Sequence, residues 1–279
     1  MDRRPLGRTG LTVSPLGLGT VKFGRRDGVK YPEPVRIPGD RLALALLSQA
    51  MELRINLLDT APAYGSSEER LGLLLEGWRD RWVISTKAGE TFENGVSSYD
   101  FSYEAVYASI EQSLERLRTD RVEIALIHSD GSDGSILDDG GAIEALKEHK
   151  AAKRVGCIGM SPKTVEGAMR AAEVCGVLML EFNLGNLEMR PVIRRCAELG
   201  VGVLVKKGLM SGHAAGGETV GDAQEGVRRS LRLCLSEPGV SSVIVGTVSP
   251  EHLDFDARVA AEILAKIREE GVGSGDEIQ

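Results

Sequence analysis

The sequence predicts an α/β fold, a closed (β/α)8 barrel preceded by a β-hairpin. Three observations carry this. Short apolar runs alternate with longer amphipathic stretches from residue 16 onward. There are eight of each. The length of 279 residues suits one barrel of roughly 250 residues. Strands separated by helices pair in parallel, because each helix carries the chain back across the sheet. An open doubly wound sheet is the other arrangement this alternation allows. The barrel domain is expected over 1–270, with GVGSGDEIQ (271–279) as a disordered tail.

The elements follow in order. In PLGRTGLTV, Gly7 to Gly10 form a turn between extended pieces, a hairpin over 6–13. The strands are expected at 16–19, 55–58, 82–85, 122–127, 155–158, 177–180, 201–205 and 242–245. Asp40 is placed to cap a helix that buries Leu42, Leu46, Leu47 and Met51. Ser66 followed by Glu69 has the form of a capping box ahead of Leu71, Leu74 and Leu75. Ser102 opens a helix with Val106, Ile110, Leu114 and Leu117 at helical spacing. Helices at 142–150, 164–174, 189–199, 227–237 and 250–268 complete the set. Two long connections, 24–39 and the glycine-rich 209–226, follow strands and so belong at the C-terminal mouth, where barrel enzymes keep their functional loops.

Apolar residues make up 42% of the chain and charged residues 27%, an ordinary globular balance, while an aromatic share of 4% leaves the core to aliphatic residues. The net charge of -7 opposes phosphate backbones and anionic lipid, so neither nucleic acid nor a membrane is an expected partner. MDRRPLGRTG has no apolar run resembling a signal peptide, and no stretch is apolar for the ~18 residues a membrane span needs. Cys157, Cys175, Cys196 and Cys234 form no C-x-x-C pair and read as buried small hydrophobes in a reducing compartment. A cytoplasmic protein is expected, and its oligomeric state is not legible.

The second strand ends in INLLDTAPAYG, with Asp59 at its end and Tyr64 five residues on. The third ends in WVISTK with Lys87, and the fourth in IALIHSDG with His128. Three successive strands thus deliver polar groups to one rim, where Asp59 and Lys87 can pair and avoid the cost of a lone charge beside an apolar strand. A tyrosine is a weak acid, with a pKa near ~10, and an adjacent ammonium lowers that value. Such a set can protonate a carbonyl oxygen. No side chain gives hydride, so a nicotinamide cofactor is implied.

These motifs resemble the aldo-keto reductase superfamily. The resemblance runs through PLGRTGLTVSPLGLGT, NLLDTAPAYGSSEERLG, the STK strand, the His128 strand, GCIGMSPKTVE and SVIVGTVSPEHL, nearly the whole chain in family order. It implies reversible reduction of an aldehyde or ketone with NADPH or NADH. Tyr64 is then the general acid, Lys87 and Asp59 its tuning pair, and His128 the residue that orients the substrate.

The same resemblance points to Thr20, Ser161, Met179, Lys206, Gly208, Leu209, Gly246, Thr247, His252 and Asp256 as cofactor contacts. Here the chain departs from the family. Pro162 replaces the Asn that commonly follows the strand-five serine. Met179, or Glu181 if the register slips, stands where Gln is common. Lys206 takes the place of the aromatic that stacks on nicotinamide, and no other aromatic lies nearby in the sequence. The last helix opens with Pro250 after Gly246, Thr247 and Ser249, and its N-terminus suits a phosphate. That segment lacks Lys and Arg, and Asp256 replaces an Asn, its charge opposing a 2'-phosphate. A weakened preference for NADPH is expected, with NADH used as well or better.

Other readings stand beside this one. Lys87 at a strand end can form a Schiff base, as in barrel aldolases, though that leaves Asp59, Tyr64 and His128 without roles. A nucleotide-binding redox sensor or accessory subunit with little turnover is the alternative of another class. Asp130, Asp133, Asp138 and Asp139 read as a flexible solvated loop rather than a cation site, and no metal is expected. Arg25, Arg26, Lys30 and Arg36 lean toward anionic or polyhydroxylated substrates, with a solvated loop as the plainer reading.

Overall fold

Eight parallel strands close on themselves in the computed structural model, which describes residues 1–29, 31–32, 34–216 and 219–273. We number them β1 (Leu16–Gly19), β2 (Leu57–Asp59), β3 (Val83–Ala88), β4 (Val122–His128), β5 (Val155–Ser161), β6 (Val177–Glu181), β7 (Gly202–Lys206) and β8 (Val240–Val245). Each pairs with its sequence neighbours, and β8 returns to β1 through Val243 opposite Leu16. The runner-up open sheet is thereby excluded. An antiparallel hairpin, Arg4–Pro5 with Thr12–Val13, precedes the barrel.

Alternation along each strand divides the core. One set of side chains, including Leu57, Ile124, Leu126, Val177, Met179 and Leu204, fills the barrel and packs with Leu6 and Val13 of the hairpin. The other set, including Leu58, Ile84, Ala125, Leu178 and Val203, faces the helices. Most strands run further at the C-terminal end than their apolar runs suggest, taking in Asp59, Lys87, His128, Ser161, Glu181 and Lys206. The backbone ladder does not depend on side-chain polarity, so it continues to the rim and aims these polar residues there.

The eight crossover helices are α1 (Asp40–Glu52), α2 (Ser67–Leu74), α3 (Tyr103–Arg116), α4 (Gly141–Ala151), α5 (Val165–Val174), α6 (Arg190–Leu199), α7 (Val220–Ser236) and α8 (Pro250–Gly273). Ser102 caps α3 by accepting from Ala105 N–H, and Thr164 caps α5 by accepting from Gly167 N–H. Two expected caps differ. Gly39 holds the cap position of α1, and Asp40 instead receives Arg70 at 2.7 Å. Ser66 sits before α2 but makes no capping hydrogen bond, and its ψ of 12 is not the extended value a cap requires. Helix α7 starts seven residues before the expected 227 because a Thr219–Asp222 capping box nucleates a polar, exposed first turn that carries no apolar stripe. Helix α8 reaches Gly273, and residues 274–279 of the expected tail lie outside the described residues.

Several elements are unanticipated, among them a second hairpin and a short acidic helix. A hairpin, Glu90–Glu93 with Val96–Tyr99, follows β3. A short helix, Asp133–Asp139, replaces the expected flexible acidic loop. Asp133 is 1% exposed and accepts from Lys163 N–H, Thr164 N–H and the Thr164 hydroxyl. It therefore ties this segment to α5. All four cysteines are free and buried.

Candidate active site

The rim of β2 and β3 holds a buried ion pair. Lys87 Nζ donates to Asp59 Oδ1 at 2.7 Å and to the Thr60 carbonyl at 2.8 Å. Ser85 Oγ also donates to Asp59 Oδ1, at 3.1 Å. The two side chains are 1% and 5% exposed, so each charge depends on the other. This commits the ammonium and argues against a free Schiff-base lysine.

Tyr64 ends a single 3-10 turn, Pro62–Tyr64, that lifts it from the end of β2. Gly65 follows with φ 60, the left-handed region that glycine enters at little cost. A side chain on Gly24 would meet the Tyr64 carbonyl at 2.3 Å, so only glycine lets the loop after β1 close against this turn. Lys87 Nζ sits 4.6 Å from the centre of the Tyr64 ring. The expectation that Lys87 lowers the phenol's pKa is corrected here. Burial, then the Asp59 charge, which repels a phenolate, pushes the phenol well above 10.

His128 lies at the end of β4, its ring edge-to-face with Tyr64 at a centroid distance of 6.3 Å. Its Nδ1 is 2.7 Å from Glu90 Oε2 but has no aligned hydrogen-bond partner. Burial, helped by Lys87 and Lys206, lowers the His128 pKa against the pull of Glu90. Glu90 is itself held down to about 2: burial opposes this, and His128, Ser97 and Arg25 outweigh it. Sequence reasoning missed Glu90, and its position directly after the STKAG rim was the available signal.

Across the mouth, Lys206 Nζ donates to Ser161 Oγ at 2.7 Å. Burial, then the neighbouring Lys207, brings the Lys206 pKa down to about 8. Lys207 is ion-paired with Glu181. Met179 is 1% exposed and packs inside the barrel, while Glu181, two residues on and so on the same face, is the polar residue at the rim. The buried Thr20 hydroxyl donates to the Asp59 carbonyl at 2.9 Å and accepts from Ser67 Oγ at 2.8 Å. Gly208 is buried against Val243 and Cys234, and Leu209 packs on the outer core, so both offer backbone only.

At the start of α8, Ser249 caps the helix by accepting from His252 N–H at 3.2 Å, and Ser249 N–H is bonded to Thr247 Oγ1 at 3.0 Å. Gly246 lies under Tyr31, whose hydroxyl is 3.1 Å from where a side chain would begin. Lys22 Nζ lies 4.0 Å from the centre of the Tyr31 ring. An aromatic does therefore reach the mouth, from the loop after β1. His252 is exposed and near the cap. Asp256 is 5% exposed, and burial raises its carboxyl to about 7, which weakens the expected repulsion of a phosphate. Arg25 reaches back to the Ala63 carbonyl at 3.1 Å; Lys30 lies outside the described residues.

A dinucleotide fits this donor set. It needs cations and backbone N–H groups for its phosphates and hydrogen-bond partners for its carboxamide. The mouth provides Lys206, Ser161 and the N-terminus of α8.

A phenol, an imidazole and a buried ammonium–carboxylate pair thus lie together at the C-terminal mouth of a (β/α)8 barrel, the end where barrel enzymes keep their active sites. The Aldo/keto reductase family matches residues 15–230. The crystal structure of PA4992 from Pseudomonas aeruginosa is 48% identical, with a TM-score of 0.84, covering 94% of this chain and 96% of that one. L-galactose dehydrogenase of Arabidopsis thaliana is 27% identical, covering 94% of this chain and 89% of its own. Pyridoxal 4-dehydrogenase of Microbacterium luteolum is 26% identical, covering 97% and 98%. The chain belongs to the aldo/keto reductase family, and thereby to the oxidoreductases that work with NAD(P)H. Among the described residues no helix is long and apolar enough to cross a membrane.

Proposed function

We propose that this protein interconverts an aldehyde or ketone and its alcohol, within one barrel domain over 1–270. The convergence of Asp59, Tyr64, Lys87 and His128 on one mouth carries the reading. NAD(P)H, when bound, supplies the hydride. Tyr64 donates its phenolic proton to the carbonyl oxygen, and its raised pKa keeps it in the proton-bearing form through neutral pH. The Lys87 ammonium steadies the phenolate left behind, and Asp59 holds Lys87 charged and fixed. His128 meets the substrate oxygen from the facing strand. Lys206, Ser161, Gly246, Thr247 and the first turn of α8 hold the nucleotide. The stretch 246–256 contains no Lys or Arg to clasp a 2'-phosphate, which favours NADH at least as much as NADPH. The relatives named as dehydrogenases support a small-molecule alcohol or carbonyl as the substrate.

The test is a fluorescence titration with NADH and NADPH in parallel, followed by turnover of an aldehyde and ketone panel. Saturable binding with turnover is expected, and NADH should bind no more weakly than NADPH. Absence of binding in the millimolar range rejects the reading. Binding without turnover across the panel points to a nucleotide sensor instead.

A further inference from the structure

Lys87, Lys206 and Lys207 bring three ammoniums to the mouth, and they are not equivalent. Side chains on one face of a strand recur every second residue. Leu126, Cys157 and Leu204 pack inside the barrel, so His128 at the end of β4, Ser161 at the end of β5 and Lys206 at the end of β7 continue that inner face to the rim. The bond from Lys206 Nζ to Ser161 Oγ, 2.7 Å long, joins two strands that β6 separates. It therefore draws the ammonium over the barrel interior rather than out toward solvent.

Charge balance singles out Lys206. Lys87 is paired with Asp59, and Lys207 with Glu181. The bonded partner of Lys206 is a neutral hydroxyl, and no carboxylate lies within ion-pair distance of it among the described residues. The charged and titratable groups facing it are Lys207 next in the chain, Glu181 on β6, Lys163 after β5, Lys87 on β3 and His128 on β4. Glu181 is the one acid among these, and it is already taken. Burial, then Lys207, brings the Lys206 pKa down to about 8, which leaves it charged at neutral pH.

Hydride goes to the carbon bonded to the oxygen that Tyr64 and His128 address, so a nicotinamide ring that delivers it lies at the same mouth, with Lys206 and Ser161 on its far wall. The two redox states of that ring differ by one charge. The oxidised ring is a pyridinium cation, and the reduced ring is a neutral dihydropyridine. Phosphates, riboses and adenine are common to both. In a poorly solvated mouth an ammonium and a pyridinium repel far more strongly than in water. The neutral ring meets no such cost, and its carboxamide oxygen can accept an N–H that Lys206 has left after Ser161.

We propose that Lys206 makes the site discriminate between the redox states of its nucleotide, holding the reduced form, with its neutral ring, more tightly than the oxidised form, with its cationic one. This rests on the reading that the mouth binds NAD(P)H. The preference loads the reduced nucleotide and eases release of the oxidised one. It fades as the ammonium loses its proton above about pH 8.

Calorimetric titration of the full-length protein with NADH and NAD+, and with NADPH and NADP+, reads the preference as a ratio of two dissociation constants, oxidised over reduced. Contacts to the phosphates, and the titration of Asp256 on α8, enter both constants alike. At about pH 6.5 the ratio should be about tenfold larger in the wild type than in Lys206→Met. In the wild type it should fall by about tenfold on going to about pH 9.5. Lys206→Arg, charged throughout, should keep the ratio high at both pH values. A wild-type ratio that is the same at both pH values, or that Lys206→Met leaves unaltered, overturns the proposal, and the first of these needs no variant to fold. Carbon-13 NMR of lysine-labelled protein, with Lys206→Met identifying the signal, supplies an independent readout. Linkage requires the Lys206 pKa to be lower in the oxidised complex than in the reduced one, and equal values overturn the proposal. Failure of all four nucleotides to bind overturns this proposal and the reductase reading together. A Lys206-dependent ratio in a protein that turns over no carbonyl would refute the reductase reading and leave the discrimination standing.

Discussion

The Lys87 ammonium donates to the Asp59 carboxylate at 2.7 Å with both side chains almost wholly enclosed, so the pair behaves as one unit. Removing one partner strands a charge in a poorly solvated place. Asp59→Asn should lower unfolding free energy by about 3–5 kcal/mol. Asp59→Asn with Lys87→Met should lose less than Asp59→Asn alone, since the stranded charge is gone. Guanidinium denaturation of the variants checks both, and additive losses would show that the charges are not coupled.

Tyr64→Phe removes the phenolic proton and nothing else of comparable size. Turnover should fall by roughly 10²–10⁴-fold, while nucleotide affinity stays within about twofold. Steady-state kinetics and a nucleotide titration separate the two effects. Retention of most of the turnover would assign the acid to another group.

Lys206 carries a charge that burial disfavours, which brings its pKa down to about 8. In the unfolded chain the ammonium persists to about 10.5, so between pH 8 and 10.5 the unfolded state binds the extra proton and stability rises with pH. Lys206→Met should therefore raise Tm at pH 7, with the gain shrinking as the pH climbs through that window. If Lys206 serves the nucleotide, the same variant should bind NADPH about tenfold more weakly at pH 7. Calorimetry and titration at several pH values test each statement, and an unchanged Kd would remove Lys206 from the nucleotide site.

Asp256 behaves in the opposite sense. Its carboxyl ionises near 7 in the folded chain and near 4 when unfolded, so between these values the folded state binds the extra proton and stability falls as pH rises. Asp256→Asn should be stabilising at pH 8, by up to about 4 kcal/mol at roughly 1.4 kcal/mol per pKa unit, with no gain below about pH 4. Urea denaturation at pH 4 and pH 8 measures the difference. A gain independent of pH would mean that the side chain is not buried as a neutral acid.

Much of this was legible in the amino-acid order, because period and spacing are local properties. Eight apolar runs with helical stretches between them pointed to a parallel sheet, whose closure the β8–β1 pairing decided, and runs such as LLD, STK and LIH placed Asp59, Lys87 and His128 at strand ends. The Ser102 helix start was readable for the same reason, since a cap acts within one turn, whereas Asp40 and Ser66 had the right residue type but not the capping geometry.

What the tertiary structure decided was which distant groups meet, and what the meeting does to their charge. Met179 and Glu181 differ by one strand repeat, and only the depth of the barrel interior shows that the first is core and the second rim. Tyr31 crosses to Gly246, and Glu90 reaches His128, over separations that no periodicity encodes. The direction of the Tyr64 shift also reversed. The amino-acid order shows an ammonium in the set, but only the fold shows that burial, and after it the Asp59 charge, disfavours the phenolate. Residue type and spacing determined which chemistry was available; desolvation and long-range contact, which exist only in the folded chain, shifted the proton affinities of Tyr64, His128, Lys206 and Asp256.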